Sequence, residues 1–155
     1  MAEEIPFVPP EKTFAVVMAG GKGERFWPLS RAARPKQLLA LTGGKPLVAE
    51  AVERLRGLVP EENIVIVTSS QYADRVREQL PGLLPYQVIA EPLRRNTAPC
   101  VAYAASVVGQ IDPEATLVVA PSDLAIFHED KFFADLQQAV DTAQRHDWII
   151  TLGAQ

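Results

Sequence analysis

The sequence predicts an α/β fold: a mostly parallel sheet with helices on both faces. Three observations predict it. Short apolar runs lack the alternation of a half-exposed strand, segments of helical period separate them, and glycine or proline marks many of the junctions. Strands covered on both faces read as continuous apolar stretches. The first is Thr13-Phe14-Ala15-Val16-Val17-Met18-Ala19, ended by Gly20 and Gly21. Comparable runs at residues 63–68, 86–90, 116–120 and 148–153 give five candidate strands.

The helices follow in order. Leu47, Val48, Ala51, Val52, Leu55 and Leu58 fall on one helical face, with Glu50, Glu53, Arg54 and Arg56 elsewhere. Residues 71–80 form a shorter, more polar helix. Asn96-Thr97-Ala98-Pro99 offers cap candidates and an early proline before Ala102, Ala104, Ala105, Val107 and Val108. Residues 129–145 present Phe132, Phe133, Leu136, Val140 and Ala143 as a buried stripe. Trp148 and the two phenylalanines are expected in the core, and Cys100 is expected to be a small buried hydrophobe.

With 155 residues the chain suits one domain, residues 13–155, after a Pro-rich leader at 1–12. No stretch approaches the roughly 20 apolar residues of a membrane span. The leader lacks the basic start and apolar run of a signal peptide, and a lone cysteine excludes an intrachain disulfide, so a cytoplasmic setting is expected. A net charge of −4 gives no basic field for nucleic acid, so neither nucleic acid nor membrane is expected as a partner. Two histidines, His128 and His146, leave little for a histidine-based metal site or triad. The sequence stops after an apolar run without a closing helix, and it reads as a fragment.

Gly20, Gly21 and Gly23 follow the first strand directly, where backbone N–H groups can approach phosphate oxygens. A purely conformational need for glycine competes evenly with that reading. The P-loop spacing G-x-x-x-x-G-K-[ST] is absent, and the third glycine of a dinucleotide fingerprint is replaced by Phe26. Pro28 and Pro35 discourage a regular helix, so a long ordered loop is expected, with Trp27 as a candidate anchor against the sheet.

That loop reads Gly20-Gly21-Lys22-Gly23-Glu24-Arg25-Phe26-Trp27-Pro28-Leu29-Ser30-Arg31 and ends at Arg34-Pro35-Lys36-Gln37-Leu38-Leu39. It resembles the signature of the sugar nucleotidyltransferase family, G-x-G-x-R followed at a distance by P-K. The W-P-L-S and P-K-Q-L variants are similar to its mannose-1-phosphate guanylyltransferase branch. Ala90-Glu91-Pro92-Leu93-Arg94-Arg95-Asn96-Thr97-Ala98-Pro99 resembles the branch's E-P-x-x-R-N-T-A-P segment, and Ala120-Pro121-Ser122-Asp123 its P-A-D motif. Leu124 stands where the family usually has histidine, and Lys22 where it more often has a small hydroxyl residue.

The resemblance implies a Rossmann-like nucleotide-diphospho-sugar transferase fold, of which this chain is the N-terminal nucleotide-binding part. It also implies transfer of GMP from GTP to mannose-1-phosphate, with magnesium. The alternatives are a UDP- or dTDP-glucose-type pyrophosphorylase, or nucleotide binding without turnover; R-N-T-A-P argues against the former. An attacking sugar phosphate is already anionic, so the site needs cations and backbone donors more than a general base. Arg25, Lys36 and Asp123 are the candidate catalytic residues: Arg25 as a planar donor fork on the triphosphate, Lys36 as a point charge between phosphates, and Asp123 as the magnesium ligand or else a turn cap. Ala19, Gly20, Gly21, Gly23, Arg25, Lys36, Glu91, Arg95, Asn96 and Thr97 are the candidate nucleotide contacts. Glu91 can accept both guanine N1–H and the N2 amino group, which uracil and thymine do not offer. Asn96 and Thr97 are candidates for base or ribose contact and equally for helix capping. Association into a homo-oligomer is left open.

Overall fold

A computed structural model of the chain describes residues 12–21, 26–31, 34–41, 44–93, 96–124, 126–146 and 148–153. Strands β1 (Thr13–Met18), β2 (Ile64–Ser69), β3 (Val88–Glu91) and β4 (Thr116–Pro121) alternate with helices α1 (Leu47–Leu55), α2 (Ala73–Gln79), α3 (Thr97–Ile111) and α4 (Glu129–Arg145). The sheet is wholly parallel, in the order β3-β2-β1-β4.

That order explains where the helices lie. From β1 to β3 the chain steps in one direction across the sheet, then recrosses it to place β4 on the far side of β1. Right-handed crossovers put helices of opposite stepping direction on opposite faces. Accordingly α1 and α2 pack with Ala15, Val17, Ile64, Ile66 and Val88 on one face, and α3 packs through Cys100, Ala104 and Val108 on Phe14, Val16, Val65, Val67 and Ile89 on the other. α4 joins the first face through Leu136 and Val140, with Phe132 and Phe133 partly buried beside it. The reversal falls between β1 and β4, and a parallel sheet binds its ligands beyond the carboxyl ends of the strands at such a point.

Local sequence accounts for the elements. β1 and β2 are buried along nearly their whole length, as continuous apolar runs require. In α1 the buried residues are Leu47, Val48, Ala49, Ala51, Val52 and Leu55, a stripe of helical period. Gln87, fully buried before β3, clips two turns together: its Nε2 donates to the carbonyls of Glu61 (2.6 Å) and Ile64 (2.8 Å), and its Oε1 accepts from Leu84 N–H (2.8 Å).

The fifth candidate strand does not form. Residues 148–153 are hydrogen-bonded into no ladder, and Trp148 is 63% exposed, stacked on His146 with ring centroids 4.3 Å apart, rather than in the core. Ile149 is 98% exposed. An apolar run becomes a strand only where a ladder partner satisfies its backbone, and the outer edge of β4 is paired with no strand among the described residues. Residues 1–11 of the leader lie outside the described residues.

Candidate active site at the carboxyl ends of β1, β3 and β4

The end of β1 is tied down from both sides. Ala19 N–H donates to Val67 O at 2.8 Å, the Thr68 hydroxyl donates to Ala19 O at 3.0 Å, and Ser122 N–H donates to Met18 O at 3.0 Å. The chain therefore leaves the sheet in a fixed direction at Gly20. A methyl group on Gly20 would stand 3.4 Å from Glu91 Oε2, and one on Gly21 would stand 3.8 Å from Lys36 Cε. Two consecutive glycines thus run between Glu91 on one side and Lys36 on the other. Both are ordinary van der Waals distances, so neither position needs glycine to avoid a clash.

Lys36 opens a short 3-10 turn, Lys36–Leu38, immediately after Pro35. Its ammonium group is hydrogen-bonded and ion-paired to Asp123 Oδ2, and it lies 5.2 Å from the centre of the Phe26 ring. Asp123 follows β4 directly, 87 residues away in sequence, and the β1–β4 ladder brings the two together. The Lys36 side chain is 13% exposed, so it is not a freely solvated surface cation. Beside it Gln37 is fully buried, and neither its amide nitrogen nor its oxygen has a hydrogen-bond partner.

Glu91 ends β3 and is only 6% exposed. Its ladder partner Ser69 is also buried, with a hydroxyl that makes no hydrogen bond. On the α3 side Glu91 neighbours Cys100, which is buried in the first turn of the helix. Burial, and then the neighbouring Glu91 charge, push the Cys100 thiol up to about 11.

The structure thus brings together Ala19, Gly20, Gly21, Lys36, Glu91 and Asp123 from the expected set. Asn96 and Thr97 stand at the start of α3, close in sequence to Glu91. Asn96 precedes the helix with φ 68° and ψ −163°, a positive-φ extended conformation otherwise almost confined to glycine, and its side chain makes no capping bond. Side-chain capping by Asn96 is therefore not what holds this helix end. Gly23, Arg25 and Arg95 lie outside the described residues, as does Lys22. Trp27 is 75% exposed and does not anchor the loop on the sheet; the aromatic residue that packs at the site is Phe26, beneath Lys36. Phe26, Ser69 and the nearness of Cys100 to Glu91 were not signalled by sequence. Only adjacency to the glycines pointed toward Phe26.

No group of three or more His, Cys, Asp or Glu side chains among the described residues is placed to hold a metal. Asp123 is a single carboxylate, one-third exposed at the mouth of the site. That donor set suits a magnesium ion that takes one or two carboxylates and completes its shell with phosphate oxygens and water.

Residues 14–155 match the family described as Nucleotidyl transferase. The chain belongs to this family. It is 40% identical over 137 residues to the mannose-1-phosphate guanylyltransferase of Escherichia coli K12, covering 86% of this chain and 28% of that protein. It is 41% identical over 125 residues to mannose-1-phosphate guanylyltransferase ManC of Salmonella typhimurium, covering 78% of this chain and 26% of the relative. Among solved structures, one described as a mannose-1-phosphate geranyltransferase from Thermus thermophilus superposes with a TM-score of 0.75 at 34% identity, over 86% of this chain and 38% of that one. The Rossmann-like nucleotidyl transferase fold is thereby shown, and this nucleotidyl transferase chain spans well under half the length of these relatives. No helix among its described residues is long and apolar enough to cross a membrane.

Proposed function

We propose that this chain carries the nucleotide-binding part of an enzyme that transfers GMP from GTP to mannose-1-phosphate, giving GDP-mannose and pyrophosphate. The observation that carries the reading is the passage of Gly20 and Gly21 between Glu91 and the Lys36–Asp123 pair. The guanine edge would meet Glu91, whose carboxylate accepts N1–H and N2–H together, and the triphosphate would cross the glycine backbone to reach Lys36. Lys36 then supplies a compact positive charge where two phosphates meet, and the low exposure around it strengthens the attraction. Arg25 would grip the triphosphate with its donor fork, and Gly23, Arg95, Asn96 and Thr97 complete the proposed nucleotide contacts. Asp123 would hold magnesium, which neutralises charge on the transferring phosphoryl group. With the nucleophile already an anion, these residues act by alignment and charge stabilisation rather than by proton abstraction.

The test is a panel of GTP, ATP, UTP and dTTP with mannose-1-phosphate or glucose-1-phosphate, with and without magnesium, on this chain and on one extended to the length of its relatives. GDP-mannose formed only with GTP, mannose-1-phosphate and magnesium is expected. UDP- or dTDP-glucose as the main product would overturn the base and sugar assignment. Nucleotide binding without product from either length would make this a binding protein.

A further inference from the structure

Ser69 and Glu91 are ladder partners at the carboxyl ends of β2 and β3. Val65, Val67 and Ile89 face α3, so by the period of two along a strand Ser69 and Glu91 face the same side. β2 lies between β1 and β3, and a methyl group on Gly20, just after β1, would stand 3.4 Å from Glu91 Oε2. The carboxylate therefore extends over the end of β2, where Ser69 sits. The hydroxyl of Thr68, one residue earlier, has a structural partner in Ala19 O at 3.0 Å, whereas that of Ser69, a residue only 4% exposed, has none. A buried hydroxyl left unbonded is destabilising, and its presence at a site calls for a partner that arrives with the ligand.

We propose that Ser69 is a specificity-determining residue: its hydroxyl donates to O6 of guanine and completes the edge that Glu91 reads. The inference rests on the reading that Glu91 recognises guanine. That edge presents the N2 amino group, N1–H and O6 in a row. The Glu91 carboxylate accepts from the first two, but an ionised carboxylate has no donor and cannot serve O6. O6 adjoins N1 on the ring, so its partner must stand beside the carboxylate, at about the 4.8 Å spacing of neighbouring strands. The Ser69 hydroxyl stands there, on the same face and unengaged. Glu91 then supplies two acceptors and Ser69 one donor, the complement of a donor–donor–acceptor edge.

Two analogues separate the contacts. 6-Thio-GTP keeps N1–H and the N2 amino group but replaces O6 by sulfur, a weaker acceptor, whereas ITP keeps O6 and N1–H but lacks the amino group. In calorimetric titrations of the whole chain with magnesium present, Ser69→Ala and Ser69→Cys should weaken GTP binding about fivefold, the worth of one hydrogen bond. Both should lower the preference for GTP over 6-thio-GTP and leave the GTP-to-ITP ratio unchanged, and Ser69→Thr, which keeps the hydroxyl, should restore wild-type values. Glu91→Gln should instead collapse the GTP-to-ITP ratio. If it does not, or if the wild-type chain binds no GTP, the guanine reading fails and the Ser69 assignment with it. If Glu91→Gln behaves as expected while the Ser69 variants weaken all three nucleotides alike, or lower the GTP-to-ITP ratio, the assignment to O6 alone is overturned. The same holds if Ala lowers the preference over 6-thio-GTP and the bulkier Cys does not, since crowding of the sulfur would then explain it. Should Ser69→Ala fail to fold, the Cys and Thr variants decide.

Discussion

The two flanks of the sheet are built to different standards. On the β2–β3 flank every β2 residue is buried, α1 and α2 close one face, α3 closes the other, and Gln87 locks the turns leading into β2 and β3. On the β4 flank only Val118 is fully buried in its strand, and the apolar residues 148–153 lie beside it without pairing. The division matches the two ends of the proposed ligand. Glu91, proposed to discriminate between bases, is embedded in the closed flank, whereas Asp123, proposed to meet phosphate and metal, sits at the open one. Discrimination requires groups that do not move; exchange of a hydrated ion requires access.

The sharpest way to break this contrast is at Gln87. Replacement by Leu leaves Leu84 N–H and two carbonyls without their partner, and chemical denaturation should show a loss of about 3 kcal/mol or more. A loss below about 1 kcal/mol would mean that the closed flank does not depend on this clip. Next in size is Lys36→Met, which removes a charge-assisted contact of about 1.5–3 kcal/mol and should lower triphosphate affinity roughly 10- to 100-fold in calorimetry. Its effect on folding should stay under about 1 kcal/mol, since the pair with Asp123 is partly solvated. Loss of stability without loss of affinity would make that pair structural. The smallest change is expected on the open flank: Ile149→Ala should alter stability by less than about 0.5 kcal/mol. A cost of about 2 kcal/mol would show that residues 148–153 are packed in solution.

Much of this was legible in the sequence. Runs such as residues 13–19 and 63–68 identify strands because burial on two faces suppresses alternation. The stripe Leu47, Val48, Ala51, Val52 and Leu55 identifies a helix for the complementary reason. The run at 148–153 misled because hydrophobicity records what a segment would gain from cover, whereas a strand also needs a neighbour for its backbone. Trp27 misled in the same way. Gln37 and Gln87 carry a residue type that usually faces solvent, and only the path of the chain reveals that they are buried. The Lys36–Asp123 pair was legible as two separate motifs. Its closure depends on the β1–β4 ladder, which no local spacing encodes. Cys100 was read correctly as buried; its neighbourhood with Glu91 was invisible because nothing in positions 91 and 100 fixes how α3 lies on β3.

The central position of β1 also gives the two ends of the site different folding histories. Gly20 meets Glu91 across β2, through two crossovers of local reach. Lys36 meets Asp123 only after β4 has paired with β1, which joins residues roughly a hundred positions apart, and closing so large a loop is slow relative to forming the shorter ones. As the chain leaves the ribosome, the Gly20–Glu91 side can be assembled while the Lys36–Asp123 side does not yet exist, so a partly made chain has the proposed seat for the base and not the proposed grip on the triphosphate.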